Sequence, residues 1–197
     1  MSAPDLNAAA SAVDLARDVV QQGLAHLAAT GSVDADQAVA YDLAHAAAAV
    51  ETARTLLDYG ARGGEEASIT AAFAAEAVAD VAAKLYGREA AWGCEATALD
   101  GARAFVAAHR DPAYLASIDG AGPRHLDDDF EMVQDAFRRF ADDKIRPVAE
   151  HVHRHNADIP EDIIAGLAEI GAFGLSVPEE YGGFAAGGES DYMGMVV

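Results

Sequence analysis

The sequence predicts an all-α fold, an antiparallel helical bundle followed by a second, shorter set of helices. Alanine accounts for 48 of the 197 residues, and alanine is the best helix former while burying little surface. Aromatic residues make up only 7% of the chain, whereas β-sandwiches and barrels are enriched in aromatic and β-branched residues. Apolar residues recur at intervals of three and four between breaks that contain glycine or proline, as in amphipathic helices.

The first 120 residues are predicted to form four helices joined by short loops, with a further short helical turn after Pro112. Short loops make an antiparallel bundle the natural packing of such helices. The predicted helices span 5–29, 35–60, 66–86 and 94–109. The side chains expected to face the core are Leu6, Val13, Val20, Leu24, Leu27, Val39, Leu43, Val50, Leu57, Ile69, Phe73, Val78, Val81, Leu85, Leu99, Phe105 and Val106.

A domain boundary is predicted at 119–123, where two glycines and a proline fall within five residues and prevent a helix from continuing. The charge balance also changes at this point. Residues 1–125 hold 17 acidic and 8 basic residues, a net charge of −9, and residues 126–197 hold 16 and 5, a net charge of −11. We therefore expect an alanine-rich bundle over 1–120 and a separate, more acidic domain over 126–197.

The acidic domain is expected to open with a helix over 128–146, which Pro147 ends or kinks. Another turn or two follows, and proline at position 160 suits the first turn of the next helix. The segments expected after Pro147 are helical turns at 147–154, a helix at 160–171, an extended stretch at 174–178, a turn at 181–183 and a helix from 189. The inward side chains are Phe130, Val133, Phe137, Phe140, Ile145, Ile163, Leu167 and Ile170.

Composition excludes several classes of function. With a net charge of −20 and only 2 lysines among 13 basic residues, the chain offers no basic face for nucleic acid or an anionic membrane. No apolar run is long enough to span a bilayer, and residues 1–18 lack the basic and apolar regions of a signal peptide. A single cysteine, Cys94, excludes a disulfide framework. We expect a buried thiol and a cytoplasmic protein.

Histidines at 151, 153 and 155 are the nearest approach to a metal site. On a helix His151 and His155 share a face while His153 does not, and a zinc site needs a third ligand that the sequence does not offer. A polar helix end is the favoured interpretation, and no metal site is predicted.

Paired carboxylates and glycine-rich segments are also weak candidates for a site. Glu150 and His153 form one Glu-x-x-His, but di-iron bundles need two such motifs and two further glutamates; the pair Asp42 and His45 is the closest second candidate. Glu179 and Glu180 are interpreted as a solvated turn. The glycines at 120 and 122 suit a linker, and those at 187 and 188 lack the lysine of a phosphate loop.

The last 70 residues contain sequence motifs that are more specific than composition or periodicity. They contain "FEMVQDAFRRFADDKIRP", "IPEDIIAGLAEIGAFGLSVPEEYGG" at 159–183 and "ESDYMGMVV" at 189–197. This succession of a helix ending near Ile-x-Pro, a second helix, a Gly-x-x-Gly segment, a Val-Pro-Glu-x-x-Gly-Gly turn and a third helix resembles the start of the acyl-CoA dehydrogenase family. The alanine-rich residues before it faintly resemble the bundle that closes these enzymes. They are interpreted as an extra helical region ahead of the first family domain.

The resemblance implies a flavin-dependent enzyme that oxidises acyl-CoA thioesters. In this family FAD lies between two helical domains and a β-domain, a glutamate removes the α-proton, and the β-hydrogen leaves as hydride to the flavin. The resemblance further implies a homo-oligomer, commonly a dimer or tetramer, that passes electrons to an electron-transfer flavoprotein. Chain length and identity of the acyl group are not encoded in these residues.

The sequence departs from the family pattern because it stops at Val197, within the last predicted helix. The family's β-domain and closing bundle, which carry most flavin contacts and the glutamate base, would lie further on. We therefore expect the N-terminal part of a longer enzyme, inactive alone, with no catalytic or cofactor-binding residue within residues 1–197. The alternative is a non-catalytic helical protein for interaction or oligomerisation that retains the motif as a relic.

Overall fold

The computed structural model describes residues 4–120 and 122–197, and within them it confirms the all-α prediction. The described part contains helices and turns with one isolated β-bridge, between Pro178 and Ala185. The chain folds as two compact units, residues 1–123 and 124–197. Ala121, in the predicted boundary, lies outside the described residues. None of the described helices is long and apolar enough to cross a membrane.

The first unit is built on three long helices that pack against one another. They are α1 (Leu6–Thr30), α2 (Gln37–Gly60) and α3 (Gly64–Leu85), followed by α4 (Glu89–Trp92), a 3₁₀ turn (Asp100–Ala102), α5 (Arg103–His109) and α6 (Pro112–Ala116). Asp5 caps α1, because its carboxylate accepts hydrogen bonds from the N–H groups of Asn7 and Ala8 at 2.9 and 3.3 Å.

The core of the first unit is made of alanine and branched aliphatic side chains around one tryptophan. Small side chains let the helices approach closely, as where Gly60 of α2 lies beside Thr70 of α3. The Thr70 hydroxyl is fully buried and donates to the Leu56 carbonyl at 2.9 Å, which satisfies it. The buried core residues are Ala9, Ala12, Val13, Ala16, Val19, Val20, Leu27, Leu43, Ala46, Val50, Ala53, Ala74, Ala77, Val78, Val81, Leu85, Trp92, Cys94 and Ala102.

The prediction of one fourth helix over 94–109 was wrong. The chain forms α4, a series of turns and the short α5 instead. Gly93 ends α4 in the left-handed conformation, with φ 62°, and a β-carbon there would lie 2.6 Å from Nδ1 of His26. Glycine therefore suits both the backbone conformation and the close approach to α1.

The second unit consists of helices joined by tight turns. It contains α7 (Asp128–Phe140), a π-helical turn (Ala141–Ile145), α8 (Arg146–His155), α9 (Glu161–Glu169), 3₁₀ turns at Ala172–Gly174 and Glu179–Tyr181, and α10 (Glu189–Val196). Asp127 caps α7 by accepting from the Phe130 N–H at 2.9 Å. The expected extended stretch at 174–178 is instead a series of turns that becomes extended only near Pro178.

Pro147 neither ends nor breaks the helix that begins at Asp128. The chain stays helical to His155 because a π-helical turn just before the proline accommodates it within the helix. In this turn the Arg146 N–H reaches back five residues to the Ala141 carbonyl. Proline has no N–H and crowds the preceding turn of a regular helix, and a wider π-turn accommodates both effects.

The predicted core residues are more deeply buried in the first unit than in the second. Of the seventeen side chains expected in the core of the first unit, eight are buried and seven are half-buried. The other two, Leu24 and Phe73, are exposed by 44% and 37%. In the second unit Ile163 is the only apolar side chain among the described residues that is fully buried, and Ile170 is 40% exposed. The aromatic side chains of α7 that were expected to face a core are half-buried.

Candidate functional site

The segment with the most specific sequence, 171–188, forms a series of tight turns, and the ring of Phe184, itself 63% exposed, packs against two of its glycines. Gly171 starts the loop in the left-handed conformation, with φ 79°. The ring of Phe184 lies against Gly171 and Gly174: β-carbons at these positions would lie 2.7 and 3.0 Å from ring carbons. The Phe184 N–H donates to the Gly174 carbonyl at 2.9 Å. Both glycines are therefore needed where the ring covers the backbone.

Backbone hydrogen bonds hold the second half of this loop against the first. The Ala185 N–H donates to the Val177 carbonyl at 3.0 Å, and the Glu179 N–H donates to the Ala185 carbonyl at 3.2 Å. Gly183 lies so close to this ladder that a β-carbon on it would come within 1.9 Å of the Val177 carbonyl oxygen. Only glycine fits at this position without moving the backbone.

Asp191 fixes the end of the loop to the start of α10. Its carboxylate accepts hydrogen bonds from the N–H groups of Ala186, Gly187 and Gly188 at 3.2, 2.7 and 3.0 Å. These bonds, led by the one from Gly187, lower the pKa of Asp191. The glycine-rich N–H groups that could cradle a phosphate are thus already bound to a carboxylate of the same chain.

A concave surface of about 570 Å³ lies beside this loop and α10. Its side chains are mostly apolar or small, and Tyr192 and Met195 are 73% and 51% exposed. Its lining consists of Ser176, Pro178, Ala185, Ala186, Gly187, Gly188, Asp191, Tyr192 and Met195.

Glu179 and Glu180 lie side by side in the second 3₁₀ turn, and both are exposed. Their position fits the interpretation as a solvated turn.

The three histidines at the end of α8 do not converge on one point. The rings of His151 and His155 stack with centroids 4.4 Å apart, and Nδ1 of His155 bonds the His151 carbonyl oxygen at 3.0 Å. Among the described residues no group of three or more His, Cys, Asp or Glu side chains could hold a metal ion.

The two acid-x-x-His pairs are engaged in other contacts. Glu150 forms an ion pair with Arg154 at 2.7 Å. Asp42 pairs with Arg88, and His45 packs on the ring of Tyr41 with centroids 4.3 Å apart. The Glu150 pair is exposed, whereas the Asp42 side chain is half-buried.

Cys94 is a buried free thiol, as expected. Its Sγ lies 3.6 Å from the Val19 carbonyl oxygen and 3.4 Å from that of Trp92. Burial raises the pKa of this thiol, which keeps it protonated and unreactive at neutral pH.

Sequence reasoning missed the roles of Phe184 and Asp191, which organise the loop. The spacing of Asp191, three residues after the glycine that precedes α10, is a signal that could have found it. An acidic residue at the third position of a helix commonly reaches back to the backbone N–H before the first turn. Phe184 carries no comparable local signal, because its contacts are with glycines ten or more residues earlier.

Comparison with known proteins identifies the same part of the chain. Residues 127–197 match the family model described as "Acyl-CoA dehydrogenase, N-terminal domain". A (2S)-methylsuccinyl-CoA dehydrogenase from Cereibacter sphaeroides is 46% identical over 79 residues, which are 40% of this chain and 14% of that protein. A benzylmalonyl-CoA dehydrogenase from Aromatoleum aromaticum is 40% identical over 58 residues, which are 29% of this chain and 15% of that protein.

Reductases match as well. A 3-(aryl)acrylate reductase from Clostridium sporogenes is 38% identical over 56 residues, 28% of this chain and 15% of that protein. The matched part spans about a seventh of the length of these curated relatives. The family model and the relatives agree with the resemblance drawn from the wording of the sequence. Residues 127–197 are thus similar to the N-terminal domain of the acyl-CoA dehydrogenase family.

Proposed function

We propose that this chain is the N-terminal part of a flavin-dependent acyl-CoA dehydrogenase, an oxidoreductase that removes hydrogen from the α and β carbons of acyl-CoA thioesters. The observation that carries the proposal is the match of residues 127–197 to the family's N-terminal domain. The loop geometry supports it, since three glycines of the matched segment, Gly171, Gly174 and Gly183, lie where a β-carbon would come within 3.0 Å of neighbouring atoms.

Dehydrogenation is preferred to reduction because the relative with the highest identity among those named above is a dehydrogenase of a CoA thioester. Its name indicates a branched acyl group that carries a second carboxylate. We propose an acyl-CoA thioester as the substrate class. Because an acrylate reductase also matches, reduction of the α,β double bond is the second reaction to test.

FAD is part of this proposal through the family, and the described residues were compared with what such a group needs. A dinucleotide requires backbone N–H donors or cations for its pyrophosphate. In the second unit the suitable N–H groups of the 186–188 loop are bound to Asp191. We propose that the flavin contacts and the glutamate base lie outside these 197 residues, and the engagement of this loop by Asp191 supports that placement.

The remaining parts of the proposal rest on the resemblance to the family and not on a site in the described residues. We propose that residues 1–120 are an extra helical region ahead of the family domain, supported by the separate core of that unit. Homo-oligomer formation, electron transfer to an electron-transfer flavoprotein and a cytoplasmic location are proposed likewise. The protonated, buried thiol of Cys94 suits a reducing compartment.

The test is an assay of the complete gene product that contains this sequence. We expect a yellow protein that reduces an artificial electron acceptor when supplied with acyl-CoA thioesters. The substrate panel contains straight-chain acyl-CoAs, methylsuccinyl-CoA, and an enoyl-CoA with NADH for the reverse direction. The 197-residue chain assayed in parallel is expected to be colourless and inactive.

Two outcomes would overturn the proposal. A gene product without flavin that oxidises and reduces none of the thioesters would favour a non-catalytic helical interaction protein. Stoichiometric flavin bound to the 197-residue chain alone would show that the flavin site had been placed in the wrong part of the enzyme.

A further inference from the structure

The chain that follows α5 runs back along α3 toward the start of that helix. The Tyr114 hydroxyl donates to the Ser68 carbonyl at 3.0 Å, and further along the chain the Gly120 N–H donates to Oε1 of Glu65 at 2.6 Å. The contact partners move toward the N-terminus of α3 as the residue numbers of this segment rise, so the segment and α3 run antiparallel. We call residues 111–120 the strap.

The strap is held to the first unit mainly by polar contacts. Among its ten residues, all of them described, Tyr114 and Ile118 are half-buried and none is fully buried. The helix before it is anchored differently, because Phe105 and Val106 of α5 pack against the apolar core. Segments with few buried apolar contacts open at a lower free energy than the core does. We therefore expect the strap to open while α5 stays packed.

The strap shortens the chain that joins the two units. Arg124 is the first residue of the second unit and pairs with carboxylates of α7 at 3.4 and 3.6 Å. With the strap closed, residues 121–123 separate Gly120 from Arg124, and an extended chain between these two residues reaches about 14 Å. With the strap open, residues 111–123 separate Arg110 from Arg124, and the extended chain reaches about 50 Å. Arg110 itself pairs with Glu76 of α3 at 3.0 Å.

We propose that the strap is a conformational device that sets the length of the tether between the two units. It is closed while the Glu65 carboxylate, in the first turn of α3, accepts the Gly120 N–H, a charge-assisted hydrogen bond of the stronger class. It is open when this contact and that of Tyr114 are lost together. Gly120 suits the closed form, because its φ of 69° is a left-handed conformation that glycine adopts without strain. The strap lies in the first unit and does not depend on the proposed dehydrogenase activity.

The first test is native-state hydrogen exchange of the full 197-residue chain, measured at the amides of Leu115 and Gly120. The Leu115 N–H donates to the Asp111 carbonyl at 3.0 Å, so the two amides report opposite ends of the strap. Glu65→Ala removes the acceptor of Gly120 and is expected to speed exchange at both amides about tenfold. Tyr114→Phe removes a neutral hydrogen bond and is expected to speed exchange at both amides about fivefold.

Three controls separate strap opening from other effects. Glu95→Ala, at an exposed position in the turns after α4, should exchange as the parent does. Glu65→Gln keeps an acceptor oxygen without the charge and should give rates between those of the parent and Glu65→Ala. The amide of Val78, in the buried part of α3, should keep its rate in every variant. Loss of the favourable charge at the helix N-terminus would affect the first turn of α3 and not Leu115.

The second test measures the tether by pulsed electron paramagnetic resonance. Spin labels are attached at Ala83→Cys and Ala149→Cys, exposed positions on α3 and α8, and Cys94 is buried away from the reagent. A triple variant, Glu65→Ala with Tyr114→Gly and Ile118→Gly, removes the anchoring side chains together. The distribution of distances between the labels is expected to broaden in this variant and to stay unchanged in Glu95→Ala.

Coupled acceleration at both amides, together with a broader distance distribution, would support the strap. Acceleration confined to the amide beside each substitution would show independent local contacts and overturn the proposal. A distance distribution that stays the same in the triple variant would overturn the role in the tether. Circular dichroism checks that the helices remain, and the two single substitutions keep the first test available if the triple variant does not fold.

Discussion

The indole of Trp92 lies directly over the backbone of Gly23 in α1. A β-carbon at Gly23 would be 3.2 Å from Cε3 of Trp92 and 2.6 Å from Cδ2 of Leu43. Trp92 is fully buried, and its Nε1 has no hydrogen-bond partner among the described residues. Glycine inside a helix costs about 1 kcal/mol relative to alanine, and the close approach of Trp92 and Leu43 accounts for its presence here.

Gly23→Ala is therefore expected to destabilise the first unit despite its better helix propensity. Overpacking costs about 1–3 kcal/mol, which exceeds the propensity gain, so a net loss of about 1 kcal/mol is expected. Urea unfolding followed by the fluorescence of Trp92 measures it. Gly64→Ala, where a β-carbon meets nothing within 4 Å, is the control and should leave stability unchanged or slightly higher. A more stable Gly23→Ala protein would contradict the packing described.

Gly183→Ala is expected to open the loop at 171–188. The added β-carbon would collide with the Val177 carbonyl oxygen, which is backbone and cannot rotate away. We expect a loss of at least about 2 kcal/mol in local stability. Hydrogen exchange of the Phe184 and Ala185 amides, which bond Gly174 and Val177, reports it directly.

Gly182→Asn is the comparison for this loop variant. Gly182 has φ 85° and open space around it, and asparagine tolerates the left-handed conformation. The exchange rates should change little in this variant. Equal acceleration in both variants would show that the loop responds to any substitution, independently of the contact with Val177.

Asp191→Asn is expected to weaken the loop in a pH-dependent way. Because the folded-state pKa of Asp191 is lowered from 3.8, its carboxylate stabilises the fold above that value and the contribution is lost as pH falls through the lowered pKa. At pH 7 the amides of Ala186, Gly187 and Gly188 should exchange faster in the variant than in the parent. The difference should shrink as pH falls through the lowered pKa of Asp191, and a difference that does not shrink would argue against the ionised carboxylate as the cause.

The two units are expected to differ in independent stability. Residues 1–123 contain a continuous core, whereas residues 124–197 bury Ile163 and leave their other apolar side chains partly exposed. Produced separately, the first fragment should give dispersed, sharp amide resonances and a cooperative thermal transition. The second should give broad, poorly dispersed resonances. A well-dispersed spectrum from 124–197 would show that its half-buried stripe suffices for folding.

The long helices could be predicted because the apolar spacing and the glycine-containing breaks in the sequence indicate the same helix bounds. Val13, Val50 and Val81 were assigned to the core from periodicity and are buried. The broken fourth helix could not be predicted from apolar spacing, because Leu99, Phe105 and Val106 fit a continuous helix as well as they fit the turns and short helix that the chain forms. Leu24 fits the stripe of α1 but lies at its edge, where the described helices leave it partly uncovered.

The candidate site, like the fold, could be predicted where local sequence rules apply and not where contacts between distant residues decide the structure. The family wording of the second unit identified the loop, and local rules explained its glycines. The ring that covers two of them belongs to Phe184, and the carboxylate that closes the loop belongs to Asp191; both act through contacts formed only when the turns are in place. Proline at 147 was expected to interrupt the helix, because sequence rules describe a regular helix and do not include a π-turn.

The π-turn at Ala141–Ile145 also bears on how this helix compares among related chains. A π-turn is closed by a hydrogen bond between residues five apart, so it holds one residue more than a regular turn. The helix axis keeps the same direction. A chain that lacks one residue between positions 141 and 145 can therefore present the same apolar face before and after that point. Alignments of this region should place a one-residue gap here, and insertions or deletions elsewhere in the helix should be rare.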